Sequence, residues 1–413
     1  MSFQQGLSGL NGAAKNLDVI GNNVANASTV GFKTSTTQFA DVYANSLAGA
    51  GGTNIGLGVQ IADVAQNFAQ GNVTISSNPL DMAINGGGFY RLSHNGSIAY
   101  TRNGQFHLDN QGYIISPSGD RLTGYPAGTG GTIVAATPTD LQLSFADIAP
   151  NQTTQANVLA NFDSRSVPPA TAFNLTDPTT YNNATSMSVY DSLGNAHTVS
   201  LYFVKTAANT WSVYGANDGT VIDQDLTTPA VVDPLGTLVF STNGAIAAGT
   251  TFPAAIALNT ATGATTPYNV TLDFVGSTQF GSPFGVTELD QDGYASGRLT
   301  GFSVSPDGIL LGRYSNGQSR AQGQVVLANF TNPNGLQPLG NNQWAETAES
   351  GQPLVGAPNS GTLGVIQSGA VEESNVDLTQ ELVNMITAQR VYQANAQTVK
   401  TQDAVLQTLV NLR

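Results

Sequence analysis

The two ends of this chain constrain its fold more than anything between them. From Leu378 onward, Leu382, Met385, Gln389, Tyr392, Ala396, Val399, Asp403, Leu406 and Val410 fall at alternating four- and three-residue steps, a heptad seam that no Pro or Gly interrupts. Phe3, Leu7, Leu10, Ala14, Leu17, Gly21 and Val24 repeat the step pattern at the other end. The spacing predicts a helix at each end, and the two narrow apolar stripes are expected to cover each other. The C-terminal helix would extend about 60 Å at roughly 1.5 Å per residue, longer than a compact domain needs. Val383, Ile386, Val405, Leu409 and Leu412 broaden its stripe beyond what one partner helix can cover. Other copies of the chain are therefore expected to supply the remaining burial. Periodicity alone leaves open the alternative of an intramolecular hairpin packed on a globular domain.

The start of the C-terminal helix is also written in the residues. Ser374, Asn375 and Asp377 offer capping oxygens, and Asp377 followed by Gln380 fits a capping box. Near the other end, Gly31 and the β-branched residues around it are expected to stop the first helix. Residues 34–47 read as weakly ordered, and 48–58, rich in Gly and Ala, as a flexible connector. From Val59 to about residue 366 short alternating runs and turn dipeptides such as Asn95-Gly96, Asn103-Gly104, Asp307-Gly308 and Asn316-Gly317 predict an all-β middle. Within it 71–144 and 285–361 share a texture of aromatics and Asx-Gly turns, whereas 145–284 is enriched in Thr, Ala and Pro. The expected class is α+β, mainly β. Terminal helices 1–30 and 374–413 pair in a coiled-coil-like bundle, with linkers at 31–70 and 362–373. A discontinuous β domain at 71–144 and 285–361 carries an inserted outer β domain at 145–284.

Composition narrows the function. At 413 residues the chain has room for several cores, and only 10 % of it is charged, so its surface is largely neutral and polar, which favours self-association. With 27 acidic and 13 basic residues the net charge of −14 disfavours nucleic acid or an anionic membrane as partner. Cysteine is absent, which rules out disulfides, thiolate metal sites and a cysteine nucleophile. The first residues lack a basic n-region, an apolar core and a cleavage site, so no cleaved secretory signal is expected, and no run reaches transmembrane length.

Little enzyme chemistry emerges. His94, His107 and His197 are isolated and read as solvated or edge residues. Asp290-Gln291-Asp292-Gly293 opens like a calcium loop, but Gly301 stands where the closing Glu belongs, so a β-turn explains it better. Gly86-Gly87-Gly88 lacks dinucleotide spacing and a following helix. Phe89, Tyr90, Tyr100, Phe106 and Tyr113 read as core. No catalytic residue, cofactor or metal is expected.

At this point the residues resemble a family. Asn22, Asn23, Val24, Ala25 and Asn26, followed by Thr29, Val30, Gly31, Phe32 and Lys33, resemble the N-terminal signature of the axial proteins of the bacterial flagellum, the rod and hook subunits. The run from Asn375 through Ile386, with Gln389, Arg390, Tyr392 and Gln393, is similar to the C-terminal half of that signature. Tyr100 to Phe106 with Leu108, Asp109, Gly112 and Tyr113 resembles the shared core. The large insertion and the closing 408–413 make hook members the closer match.

The resemblance implies a non-enzymatic subunit of the extracellular hook. Such a subunit polymerises with itself into a curved, flexible tube that joins rod to filament and passes torque as a universal joint. It implies distal rod, hook cap and hook–filament junction proteins as neighbours, and passage through the flagellar type III export apparatus. On this reading Phe3, Leu7, Leu10, Leu17, Val24, Leu378, Leu382, Met385, Tyr392, Val399, Leu406 and Val410 form the assembly seam. The alternatives are a distal rod subunit and a secreted β-rich adhesin or glycan-binding protein.

Overall fold

In a computed structural model, residues 2–42, 56, 58–128, 130–222, 232–247, 250, 256–258 and 262–411 are described. The connector expected at 48–58 lies outside these residues except for Gly56 and Gly58. The chain divides into two units, one of residues 1–145, 301–313 and 319–413, the other of 146–300 and 314–318.

The first unit holds both helices, α1 (Ser2–Ala25) and α2 (Leu378–Asn411). Asp377 caps α2 as expected, accepting from the backbone N–H of Thr379 at 2.9 Å and of Gln380 at 3.1 Å. The box is only half made, because the Gln380 side chain turns to Asn384 instead. The helices run antiparallel: the start of α1 faces Asn395 and Val399, and its end faces Glu381.

The stretches read as weakly ordered or as linkers carry paired strands. β1 (Ser35–Val42) and β2 (Gly58–Gln66) form an antiparallel hairpin that slips register between Gln38 and Phe39. Ala370–Glu372 pairs with Val73–Ile75, and Val365–Ser368 with Met82–Asn85. These segments look weak in sequence because their partners lie far along the chain or, for the hairpin, because an isolated two-stranded ribbon has little apolar patterning of its own.

The β body of this unit interleaves strands from both sides of the insertion. Arg121–Pro126 pairs with Ser319–Val325, and Ser97–Thr101 with Gln343–Ala345. Its core includes Met82, Tyr90, Leu92, Phe106, Leu122, Leu310 and Val325. Beside it Phe89, Tyr100, Phe330 and Trp344 form an edge-to-face aromatic cluster that also takes in Phe68. Of the aromatics expected as core, Phe89, Tyr90, Tyr100 and Phe106 are buried, and Tyr113 is half-buried beneath the Arg121 guanidinium, 3.9 Å from its ring centre.

The second unit is a sandwich. The strand Gln155–Asp163 alternates buried and open residues, the period expected of a sheet with one covered face. It lies parallel to Tyr268–Asp273 and Thr278–Phe280 and antiparallel to Gly285–Gln291. The facing sheet contains Asn183–Tyr190, Ala196–Ala207 and Thr210–Asn217. Phe162, Leu201, Phe203, Trp211 and Val213 fill the space between them. This unit reaches Thr300, past the boundary of 284 drawn from sequence, since Gly285–Gln291 completes its sheet. Asp292 ties that sheet rather than opening a cation loop: it accepts from the N–H groups of Thr154 and Gln155.

Candidate assembly face and the buried junction of the chain ends

The helix pair is closed by its smallest residues. A Cβ on Gly6 would lie 3.2 Å from Val399 Cγ2, and one on Gly9 would lie 2.8 Å from Asn395 Oδ1, so glycine is what lets the two backbones approach. Ala13, Ile20 and Asn23 of α1 and Ala388 of α2 are buried. The large residues of the expected seam are placed differently. Phe3, Leu7, Leu378, Leu382, Tyr392 and Leu406 are exposed. Leu10, Leu17, Val24, Met385 and Val399 are half-buried, while Val410 lies in the last turn of α2, where side chains are outside the described residues. With Val383, Ile386, Val391 and Val405 they leave a broad apolar surface on α2: Leu382, Val383, Ile386 and Leu406 keep 45, 52, 52 and 53 % of their area open. A cavity of about 570 Å3 opens between α1, α2 and the hairpin, with Ala13, Ile20, Phe39, Val59, Ala388 and Val391 in its lining.

The motif residues converge at the root of this pair. α1 ends where Asn26 Nδ2 donates to the Asn22 carbonyl at 3.0 Å. Gly31 then takes φ 71°, and a Cβ there would lie 2.6 Å from the Asn103 nitrogen, so both conformation and space require glycine. Phe32 is buried. Asn23, 1 % exposed, holds both backbone groups of Ser35, donating from Nδ2 to its carbonyl at 2.8 Å and accepting its N–H at Oδ1 at 3.0 Å. The same Nδ2 lies 3.3 Å from Glu381 Oε2 in the first turn of α2. One amide thus joins both helices to β1.

Deeper in, Lys33 Nζ lies 2.6 Å from Glu372 Oε1, and Arg102 NH1 lies 3.2 Å from Glu372 Oε2, all three side chains almost fully buried. The carboxylate also accepts the Gly71 N–H at 2.9 Å. Lys33 donates to the Ala69 carbonyl at 2.8 Å and Arg102 to the Gly86 carbonyl at 2.9 Å. The Glu372 carbonyl accepts the Gly31 N–H at 2.8 Å. Asn375 repeats the pattern one step on: its Oδ1 accepts the Thr34 N–H and its Nδ2 donates to the carbonyls of Asn67 and Ala69. Burial pulls the Lys33 ammonium and the Arg102 guanidinium below their ordinary values, with Glu372 opposing it in both cases. A single carboxylate is therefore the shared counter-ion of two cations, and the three groups join the chain leaving α1, the chain entering α2 and the β body. The sequence named Lys33, and Arg102 within the run from Tyr100 to Phe106, but not Glu372, because 339 residues separate it from Lys33.

Among the described residues no three or more His, Asp or Glu side chains are grouped so as to hold a metal ion, and no helix is long and apolar enough to cross a membrane.

Four family profiles match this chain. They are the flagella basal body rod protein over 3–33, the flagellar hook protein FlgE/F/G D1 domain over 83–161, the flagellar basal body protein FlaE D2 domain over 161–294, and the flagellar basal body rod FlgEFG protein C-terminal over 367–412. Paired terminal helices on a nested β body, with these matches, define an axial protein of the bacterial flagellum. The flagellar hook protein FlgE of Escherichia coli K12 is 44 % identical over the whole of both chains, and that of Borreliella burgdorferi is 32 % identical over all of this chain and 99 % of its own. A solved structure of Helicobacter pylori flagellar hook protein FlgE2 matches 72 % of this chain and 100 % of its own with a TM-score of 0.54 at 14 % identity, a likeness of fold. The chain belongs to the flagellar hook protein family and is a structural subunit of the hook.

Proposed function

We propose that the outward apolar face of the terminal helices is where successive copies join, so that the chain polymerises into a curved, flexible helical tube. The observation that carries this reading is the inversion of the helix pair, in which Gly6, Gly9, Ala13 and Ala388 face inward while Leu382, Val383, Ile386 and Leu406 remain open. Fully burying one such large side chain is worth roughly 1.5–3 kcal/mol. A row of them favours association strongly, and a contact that joins different faces of identical copies propagates as a helix where its rotation does not close a ring. The cavity of about 570 Å3 beside Ala388 and Val391 is a recess into which a neighbour's side chains could fit. In the tube, residues 1–30 and 374–413 form the inner wall; 71–144 with 285–361, and the inserted 145–284, form the layers outside it.

The tube joins rod to filament and transmits torque as a universal joint. It meets distal rod proteins at one end and hook cap or hook–filament junction proteins at the other. Subunits reach it outside the cell through the flagellar type III export apparatus. The role is mechanical and not enzymatic. The sparse charge of the β layers, 10 % of the chain, lets neighbouring surfaces slide over wet polar contacts that differ little in energy. Electron microscopy of the purified protein after salting out tests this: tubes of one fixed diameter are expected, and protein that stays dispersed or precipitates without order would contradict it.

A further inference from the structure

His197, read from the sequence as a solvated or edge residue, is 6 % exposed and has a carboxylate at each ring nitrogen. Nδ1 lies 2.6 Å from Asp218 Oδ2, and Nε2 lies 3.2 Å from Asp191 Oδ2. A neutral imidazole has one N–H and one lone pair, so in this position its lone pair would point at a carboxylate oxygen. Only the imidazolium satisfies both contacts.

The two carboxylates are themselves fixed. Asp191 accepts the backbone N–H groups of Leu193 and Asn195, each at 2.9 Å, the Asn195 side-chain amide at 3.0 Å and the Thr262 hydroxyl at 2.7 Å. A further bond, from the Thr265 N–H to Ser192 Oγ at 3.0 Å, lays the segment around Thr262 on the same turn. Asp218 accepts the Thr198 N–H at 2.8 Å. Tyr268 is the remaining titratable neighbour, its ring centre 6.5 Å from that of His197 and its hydroxyl without a protein partner. Burial, with both carboxylates adding, pushes that hydroxyl up to about 12, so it stays neutral wherever His197 titrates.

We propose that His197 is a proton-operated brace: as an imidazolium it ties the 191–195 turn, the turn at Asp218 and the 262–265 segment together, and in alkaline medium these segments release while the sandwich core stays folded. Among the described residues of the sandwich core the one titratable group is the Tyr268 hydroxyl, which stays neutral over this range, and that separates the two responses.

The direction follows from the surroundings of the ring. Burial alone would lower its affinity for the proton, but the bonds to Asp218 and Asp191 outweigh that and raise it above the ordinary value. A group held by the proton in the folded state contributes fully below the unfolded value of about 6.5, and the contribution is lost as pH rises through the raised folded value.

The test uses the full-length protein and follows the ring signals of its histidines by NMR, with His197→Gln assigning the one of interest. Its midpoint is expected above about 6.5, and Asp218→Asn, at a half-exposed position, is expected to bring it down. Hydrogen-exchange protection, corrected for intrinsic base catalysis, is expected to fall about tenfold or more at 191–195 and 262–265 between about pH 6 and pH 9. It should hold at Phe162, Leu201 and Val213, and become pH-independent at both segments in His197→Gln. A His197 midpoint at or below about 6.5, or protection in those segments that does not change with pH in the unmodified protein, would overturn the proposal. Should His197→Gln fail to fold, the histidine signal shifted by Asp218→Asn reports the midpoint, and the protection of 191–195 and 262–265 in the unmodified protein decides the matter.

Discussion

The terminal helix pair and the inserted sandwich bury opposite kinds of residue. Inside the sandwich lie Phe162, Phe203, Trp211 and Leu201, and its strands keep polar residues outward. In the helix pair Gly6 lies against Val399 and Gly9 against Asn395, and Ala13 and Ala388 are buried, while Leu382, Ile386, Tyr392 and Leu406 stay open. The sandwich holds its own hydrophobic stabilisation within one chain. The helix pair leaves most of its large apolar side chains on α2 open and is fastened at its root by polar and charged groups, so that apolar surface remains available to other chains. Self-sufficiency and readiness to assemble are thus allotted to different residues of the same polypeptide.

That contrast can be broken experimentally. The largest effect is expected from Leu382→Asp with Ile386→Asp, which should abolish polymer formation while leaving the monomer's circular dichroism and melting unchanged. Monomer unfolding would show that these side chains already serve the lone chain. Next come two substitutions of similar size with different sites of damage. Glu372→Gln leaves Lys33 and Arg102 buried without their counter-charge, costing about 3–5 kcal/mol in denaturant unfolding of the first unit. Phe162→Ala, which opens a cavity in the sandwich, should cost about 3–5 kcal/mol in the second. Trp344 and Trp211 stand one in each unit and report the two transitions separately. Asn23→Ala removes the amide that joins Ser35 and Glu381 and should cost about 1–3 kcal/mol of first-unit stability by the same measurement. The smallest effect is expected from Gly21→Ala: no atom lies within 4 Å of the added Cβ, so the helix should gain about 0.5–1 kcal/mol with assembly intact.

Local signals were legible in the sequence and long-range ones were not. Asp377 announced the start of α2, the heptad steps announced both helices, and Asn95-Gly96 marked a hairpin whose residues take φ 50° and 91°. The phase of the helix contact was only partly legible: Val399 of the heptad seam does meet α1, but it packs on Gly6, and a template that seeks large apolar residues passes over Gly6, Gly9, Ala13 and Ala388. β2 falls in the alternating run expected from Val59, but its partner β1 was missed because an exposed ribbon strand carries no strong period. Lys33, Asn23 and Gly31 stood out through the family motif, but their roles depend on Glu372, Ser35 and Asn103, which only the folded topology brings beside them. His197 looked isolated for the same reason: Asp191 lies close in sequence, but Asp218 and Thr262 arrive from other strands and loops.

The central claim is that the outer face of α2 is covered by other copies. Because the chain has no cysteine, Ile386→Cys places a single thiol on that face. The most direct measurement is its rate of modification by a small soluble thiol reagent, before and after polymerisation of the same sample. Rapid reaction in the monomer and a slowing of at least about a hundredfold in the tube, roughly 2.7 kcal/mol of protection, is the expected result. Equal reactivity in the two states would contradict the account.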